Sequence, residues 1–283
     1  LFETQGPVNF VHTRTIVDPR FGVKASGKVG PLALGVVFAD DEAPGRVDDE
    51  ADPAYGRTAK FMLARLRYDL YSESSVGVLV TDREFLDSFS RVAAVDGRFR
   101  LGPTHELSVR TAIADHRDLA GVRNTGPFLD IALRREGRNL SYGIFHHQIH
   151  PEFRTEAGFL QRVDLKRLNT NVQYRWWPQH WIINWGPRAG YARNYDFEGV
   201  LTDEEAGVGV NVQFDRNIFL NTSINRDMER FAGTDFYKTR GGIGGGVNAS
   251  RRISVGAFFN AGDEVRFSDA PFLGSGRSVN GFL

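Results

Sequence analysis

At 283 residues the chain is long enough for one large barrel or two ordinary domains, and the absence of cysteine excludes a disulfide scaffold and a thiolate metal site. Basic and acidic residues balance at 35 each, so no global field draws the chain to nucleic acid, and any electrostatic function has to come from local arrangement. A mean hydropathy of -0.33 and the lack of any window of ~18 to 20 apolar residues exclude a membrane-spanning helix. They do not exclude a β-barrel, because only every second residue of a barrel strand meets lipid.

In chain order, strands are expected near 20–29, 31–39, 64–70, 75–83, 91–101, 107–113, 129–134, 140–148, 167–176, 180–192, 208–214, 217–226, 236–248 and 252–261, with a last one starting near 279. The signal is period two. Ala64, Leu66, Tyr68 and Leu70 alternate with Arg65, Arg67 and Asp69, and Leu107, Val109 and Ile113 with Ser108, Arg110 and Ala112. Leu129, Ile131 and Leu133 alternate with Asp130, Ala132 and Arg134. The pattern recurs in Leu168, Thr170, Val172, Tyr174 and Trp176 against Arg167, Asn169, Asn171, Gln173 and Arg175, and in Val208, Val210, Val212 and Phe214 against glycine, Asn211 and Gln213. Each such strand has different solvents on its two sides.

Short turns rich in Gly, Asn, Asp and Ser are expected at Lys28–Pro31, Ser72–Ser75, Leu101–Thr104, Glu136–Asn139, Pro178–His180, Asp215–Asn217 and Asn248–Arg251. Longer polar loops are expected near 40–57, 84–90, 115–126, 149–160, 193–205, 228–235 and 262–276. This alternation is that of an up-and-down barrel with short periplasmic turns and long outer loops. The fold class is thus all-β, an antiparallel up-and-down transmembrane β-barrel of about 15–16 strands, with 1–283 read as a single domain truncated at both ends. A soluble all-β binding protein, propeller or sandwich, is the alternative; no propeller-length repeat is found, and repeated strands of ten or more residues argue against a sandwich.

Tyr68, Phe99, Tyr174, Trp176, Trp181 and Phe214 fall on the apolar register close to the short turns, as the aromatic girdle of a membrane interface would. On the polar register near the same turns stand Lys28, Arg65, Arg67, Arg98, Arg100, Arg134 and Arg175, with Asp69, Asp96 and Asp130 as nearby acids. In a closed barrel these make a lumenal basic belt suited to an anionic or heavily hydroxylated solute, or else a set of Arg–Asp pairs that fill the lumen. Outer-membrane lipid is the expected partner, and nucleic acid is not.

His146, His147, His150 and Glu152 are the densest group of metal-ligand types, but strand neighbours such as His146 and His147 face opposite sides, so neither a metal site nor a cofactor is assigned. The glycine run Gly241–Gly246 lacks the Lys-Ser/Thr pair of a phosphate loop and reads as close backbone approach. No GxSxG elbow or HExxH helix is present, so no catalytic residue is assigned; an outer-membrane hydrolase with its site among the long loops is the alternative from another class.

The runs FGVKASGKVG (Phe21–Gly30), RLRYDLYSESSVGVLVTDREFLDSFSRVAAVDGRFRL (Arg65–Leu101) and HPEFRTEAGFLQRVD (His150–Asp164) resemble the barrel region of a large uncharacterised bacterial outer-membrane family. In that family the barrel usually follows an N-terminal carbohydrate-binding domain of the family-9 type. The resemblance covers the chain up to about residue 180, and later strands match in pattern only. It departs at Ser90, where the family usually has Asn, and at the loosened run PEFRTEAGF, so neither receives a ligand role. The resemblance implies an outer-membrane barrel that accompanies a periplasmic glycan-binding domain, which 1–283 does not contain.

Overall fold

A computed structural model describes residues 6–283 except 72, 251 and 269. Ser72 and Arg251, each part of an expected turn, and Asp269 in an expected loop lie outside the described residues.

Fifteen strands follow one another in chain order and pair with their sequence neighbours in one antiparallel sheet, with no pairing between the first and the last among the described residues. They are β1 (Pro19–Val29), β2 (Leu32–Asp41), β3 (Ala59–Asp69), β4 (Ser75–Phe85), β5 (Ser88–Leu101), β6 (His105–Arg117), β7 (Arg123–Glu136) and β8 (Leu140–Ile149). Then come β9 (Leu165–Tyr174), β10 (Ile182–Tyr195), β11 (Leu201–Phe214), β12 (Ile218–Phe231), β13 (Thr234–Asn248), β14 (Ser254–Arg266) and β15 (Phe272–Phe282). The expected all-β, up-and-down architecture is the one observed, and helix is confined to 3₁₀ turns among the described residues.

The two faces of the sheet divide as the period-two pattern predicts. On β3, Met62, Leu66 and Tyr68 are exposed, whereas Arg65 on the opposite face is 4% exposed. Val78 and Val80 of β4, Val95 of β5 and Ile113 of β6 continue the exposed apolar face. Register places them side by side, as in the pairing of Val78 with Val95. Leu168, Val172, Val208, Ile224, Ile243 and Phe259 do the same on the later strands. Scattered exposed apolar residues are ordinary; here, within each unit, they recur on one register from strand to strand.

Five expected long loops are corrected. β4 and β5 are joined by Leu86 and Asp87 alone, β12 and β13 by Ala232 and Gly233 alone, and the connections at 118–122, 196–200 and 267–271 are also short. Ala232 and Gly233 have φ of 50° and 79°, the positive values that a two-residue hairpin turn needs to match strand twist. The long connections among the described residues are 42–58 and 150–164. The strands run further than hydropathy shows because, beyond the apolar stretch, the ladder is carried by charged cross-strand pairs. Arg91 meets Glu84 at 2.6 Å, Arg123 meets Asp115 at 2.7 Å, and Arg230 meets Asp235 at 2.6 Å. With charge on the apolar register, alternation vanishes from the sequence while backbone pairing continues.

The chain gathers into two compact units, one of Leu1–Ala132 with His146–Lys166 and one of Leu133–Phe145 with Arg167–Leu283. In the first, the polar register turns apolar toward the strand ends remote from the Lys28–Pro31 and Leu101–Thr104 turns, and the N-terminal segment packs upon it. Val8, Phe10 and Val11 bury themselves among Phe61, Leu63, Leu79, Phe128 and Phe153. Phe10 meets Phe128 edge-on at 5.2 Å between ring centroids. The segment also pairs with the 150–164 loop, Phe159 N donating to Asn9 O at 2.7 Å and His12 N to Ala157 O at 2.8 Å. Its far end is held by buried Asp41, whose carboxylate accepts from Asp18 N at 2.6 Å and Val17 N at 3.2 Å.

Candidate functional site

The basic residues picked out by the sequence lie on the polar register, and most meet an acid or another partner. Lys28 reaches Asp69 at 2.5 Å, Arg67 the same carboxylate at 3.2 Å, Arg65 reaches Asp96 at 2.8 Å and Arg98 reaches Glu106 at 2.6 Å. Arg100 donates to Pro103 O at 3.1 Å and comes within 4.0 Å of Glu73. Arg134 stacks over Phe145 at 4.9 Å, and Arg175 donates to Ser141 Oγ at 3.3 Å. Asp130 pairs with Arg110 at 3.1 Å, and Arg110 also donates to Val8 O at 3.1 Å. In the sequence Arg110 shows only as a polar-register residue; Asp130 on the neighbouring strand and the overlying segment give it this place. The ion pairs leave much of this wall charge-compensated.

The aromatic residues of the apolar register gather most densely in the second unit. Tyr174 lies 4.8 Å from Trp176, Trp176 stacks on Trp185 at 4.6 Å, and Trp181 stacks on Phe214 at 5.7 Å. Trp185 escaped the sequence reading because it lies on the next strand and reaches the others only through the bridge between Trp176 and Trp185. Tyr68 is exposed at the end of β3, and Phe99 lies across Gly97, where a Cβ would stand 2.7 Å from its ring.

In the first unit, register places Ser90 directly opposite His116, and loop residue Glu156 joins them. Glu156 N donates to Ser90 Oγ at 3.1 Å, Arg83 pairs with the Glu156 carboxylate, and His116 Nδ1 stands 3.9 Å from it. Ser90 is 1% exposed and already accepts a backbone N–H, so the cluster fastens the 150–164 loop to the sheet. In the histidine-rich run, His146 Nε2 lies 2.9 Å from Gln148 Nε2 and Glu152 N donates to His150 Nδ1 at 3.2 Å. No group of three or more His, Asp or Glu side chains is placed to hold a metal among the described residues.

Open recesses of the polar register lie in both units: the first holds one of about 620 Å³ among Arg67, Asp69, Ser75 and Arg98, and the second holds a pair. One, of about 580 Å³, is lined by Asn169, Asn171 and Gln173 of β9, Arg188 of β10, Glu205 of β11, Asn225 and Asp227 of β12 and Arg240 of β13. A smaller one, of about 220 Å³, shares Asn225 and Arg240 and adds Asn260, Glu264 and Ser278. Arg240 donates to Asp227 at 2.8 Å and Arg167 to Glu205 at 3.4 Å. On the same register, nearer the β12–β14 strand ends at Asp215–Asn217 and Asn248, Phe219, Phe258 and Phe282 form a row with neighbouring centroids 6.3 Å apart. The sequence reading missed this row, although the alternation of Phe219 with Asn221, Ser223 and Asn225 on one register is visible in the strand. A scan against models of known protein families finds none that matches this chain, and no curated protein matches it either.

Proposed function

We propose that this chain is the wall of a bacterial outer-membrane β-barrel that anchors a glycan-binding assembly and passes a hydroxylated solute along its polar face. The observation that carries the reading is the exposed apolar face with charge beyond it. On β5 the apolar register from Leu101 to Ala93 has no charged side chain, and Arg91 follows. Eight residues at ~3.3 Å each span ~26 Å along the strand. At the ~40° tilt of membrane strands that is ~20 Å of height, close to the ~25 Å apolar band of outer-membrane barrels. The Tyr174, Trp176 and Trp185 cluster sits where such a band meets water, and amphipathic rings favour that depth. The resemblance of Phe21–Gly30 and Arg65–Leu101 to the barrel family supports a carbohydrate-binding domain as the covalent neighbour.

Heat-modifiable migration on a detergent gel, with refolding into lipid vesicles, tests the membrane reading. The expected result is a folded species that migrates apart from its boiled form and inserts into vesicles. A folded, monodisperse protein in detergent-free buffer overturns it. Conductance across a planar bilayer tests passage, an open lumen giving steady current steps and a plugged one none.

A further inference from the structure

On the polar register β13 carries Gly242, Gly244 and Gly246, a strip without side chains between β12 and β14. Strands two steps apart in a sheet are separated by ~9.6 Å, so aromatic rings standing upright on β12 and β14 would not meet. Here Phe219 and Phe258 lean across the strip from either side and bring their centroids to 6.3 Å, with 31° between the ring planes. Glycine is what makes room. A Cβ on Gly246 would stand 3.0 Å from the Phe219 ring, one on Gly256 2.6 Å from that of Phe282, and one on Gly244 would overlap Phe258. The rings therefore lie along the sheet and form one row, each partly exposed.

Farther along the same strands the wall is made of groups that donate and accept at once. Asn225 lines both recesses of the second unit, and amide side chains offer both kinds of hydrogen bond. The charges lining the larger recess balance, Arg188 and Arg240 against Glu205 and Asp227. An anion would have to compete with Asp227 for Arg240. A neutral ligand whose hydroxyls both donate and accept fits a carboxylate–guanidinium pair without breaking it. Across β13 Phe258 faces Gly244, Asn225 faces Arg240 and Asp227 faces Lys238, so these polar groups lie four to six residues, ~13 to 20 Å, along the strands from Phe258, with Asn260 between. The larger recess also falls within the ~300–1,000 Å³ of small-molecule sites.

We propose that the polar face of the second unit binds a neutral oligosaccharide, its sugar rings stacked on Phe219, Phe258 and Phe282 and its hydroxyls held by Asn225, Asp227 and Arg240. This rests on the reading of that face as the water-facing side of a membrane barrel and gives that face its substrate class. Stacking on flat, partly exposed rings favours the C–H faces of sugars, and the balanced charge disfavours phosphate and uronate.

The test is calorimetric titration of the whole chain, folded in detergent micelles, with maltohexaose, cellohexaose, chitohexaose and, as the anionic comparison, hexagalacturonate. At least one neutral hexasaccharide is expected to bind. Phe258→Ala should weaken that binding about tenfold or more, ~1.4 kcal/mol, while Phe258→Tyr keeps it. Asn225→Ala gives an independent loss that does not depend on the aromatic row. Absence of binding by all three neutral sugars, tighter binding of hexagalacturonate, or an unchanged affinity in Phe258→Ala overturns the proposal. Vesicle insertion is scored separately on the same preparations: inserted protein that binds no neutral sugar sinks this inference alone, whereas failure to insert sinks the membrane reading.

Discussion

Arg110 of β6 and Asp130 of β7 meet at 3.1 Å with side chains only 5% and 10% exposed, and a second Arg110 nitrogen donates to Val8 O of the overlying N-terminal segment. The guanidinium also lies over Phe10 and Phe128 at 5.4 and 5.3 Å. One cation thus joins the sheet to the segment that covers it.

Removing one partner of this pair leaves the other charge buried, which costs about 3–5 kcal/mol, more than the pair itself contributes. Arg110→Met is expected to destabilise the folded chain by that amount in urea unfolding from detergent or lipid. The double variant Arg110→Met with Asp130→Leu is expected to recover most of the loss; if the double variant is as unstable as the single one, buried charge is not the cause.

Phe10 is 1% exposed and touches two other rings, so Phe10→Ala opens a cavity at the centre of the first unit's core. Truncating a buried Phe costs about 3–5 kcal/mol. Because the segment joins the rest through few backbone bonds, local release precedes global unfolding. Trypsin should then cut at Arg14 at least several-fold faster than in the parent, read by mass spectrometry, while the sheet stays intact.

Val95 is exposed in the middle of the apolar face. In lipid, Val95→Arg is expected to destabilise the protein by about 2–4 kcal/mol, the cost of a basic residue near the bilayer midplane. Arg at the position of Phe89, which lies near the charged end of the same register beside Arg91 and Arg117, should cost about 0–1 kcal/mol. Equilibrium unfolding in vesicles measures both, and equal costs at the two depths would contradict a bilayer around this face.

At the β12–β13 hairpin, past the apolar stretch, the hydrogen-bonded Arg230 guanidinium holds the Asp235 carboxyl below the usual carboxylate range. A depressed carboxyl contributes stability that is fully present above its unfolded value, ~3.9, and is lost as pH falls through the lower folded value. The hairpin contact should therefore persist at neutral pH and weaken only below about pH 4. Titrating the Asp235 side-chain carbon by NMR in the parent and in Arg230→Gln checks this, the variant being expected to move back up toward the ordinary value.

Much of the sheet is legible in the sequence because each strand reports its two faces locally. Leu66 and Tyr68 against Arg65 and Arg67, or Val208 and Val210 against Gly207 and Gly209, assign sides without knowledge of any neighbour. Strand ends are not legible in the same way. Glu84, Phe89 and Ser90 look like a loop when read singly, and only the pairing of Glu84 with Phe89 and of Arg83 with Ser90 shows that the ladder of β4 and β5 continues through them.

What the sequence determines by itself is therefore the class of the fold and the parity of its faces, since alternation is a property of one strand and its solvents. Tertiary structure decides everything that depends on which strands and segments become neighbours. It pairs Arg110 with Asp130, lays Val8 and Phe10 over a register that reads as polar near the short turns, and brings Phe219 and Phe258 together across a glycine strip. The reason is physical: a side chain's hydropathy is its own, but its contacts belong to residues that the chain reaches only after the sheet has formed.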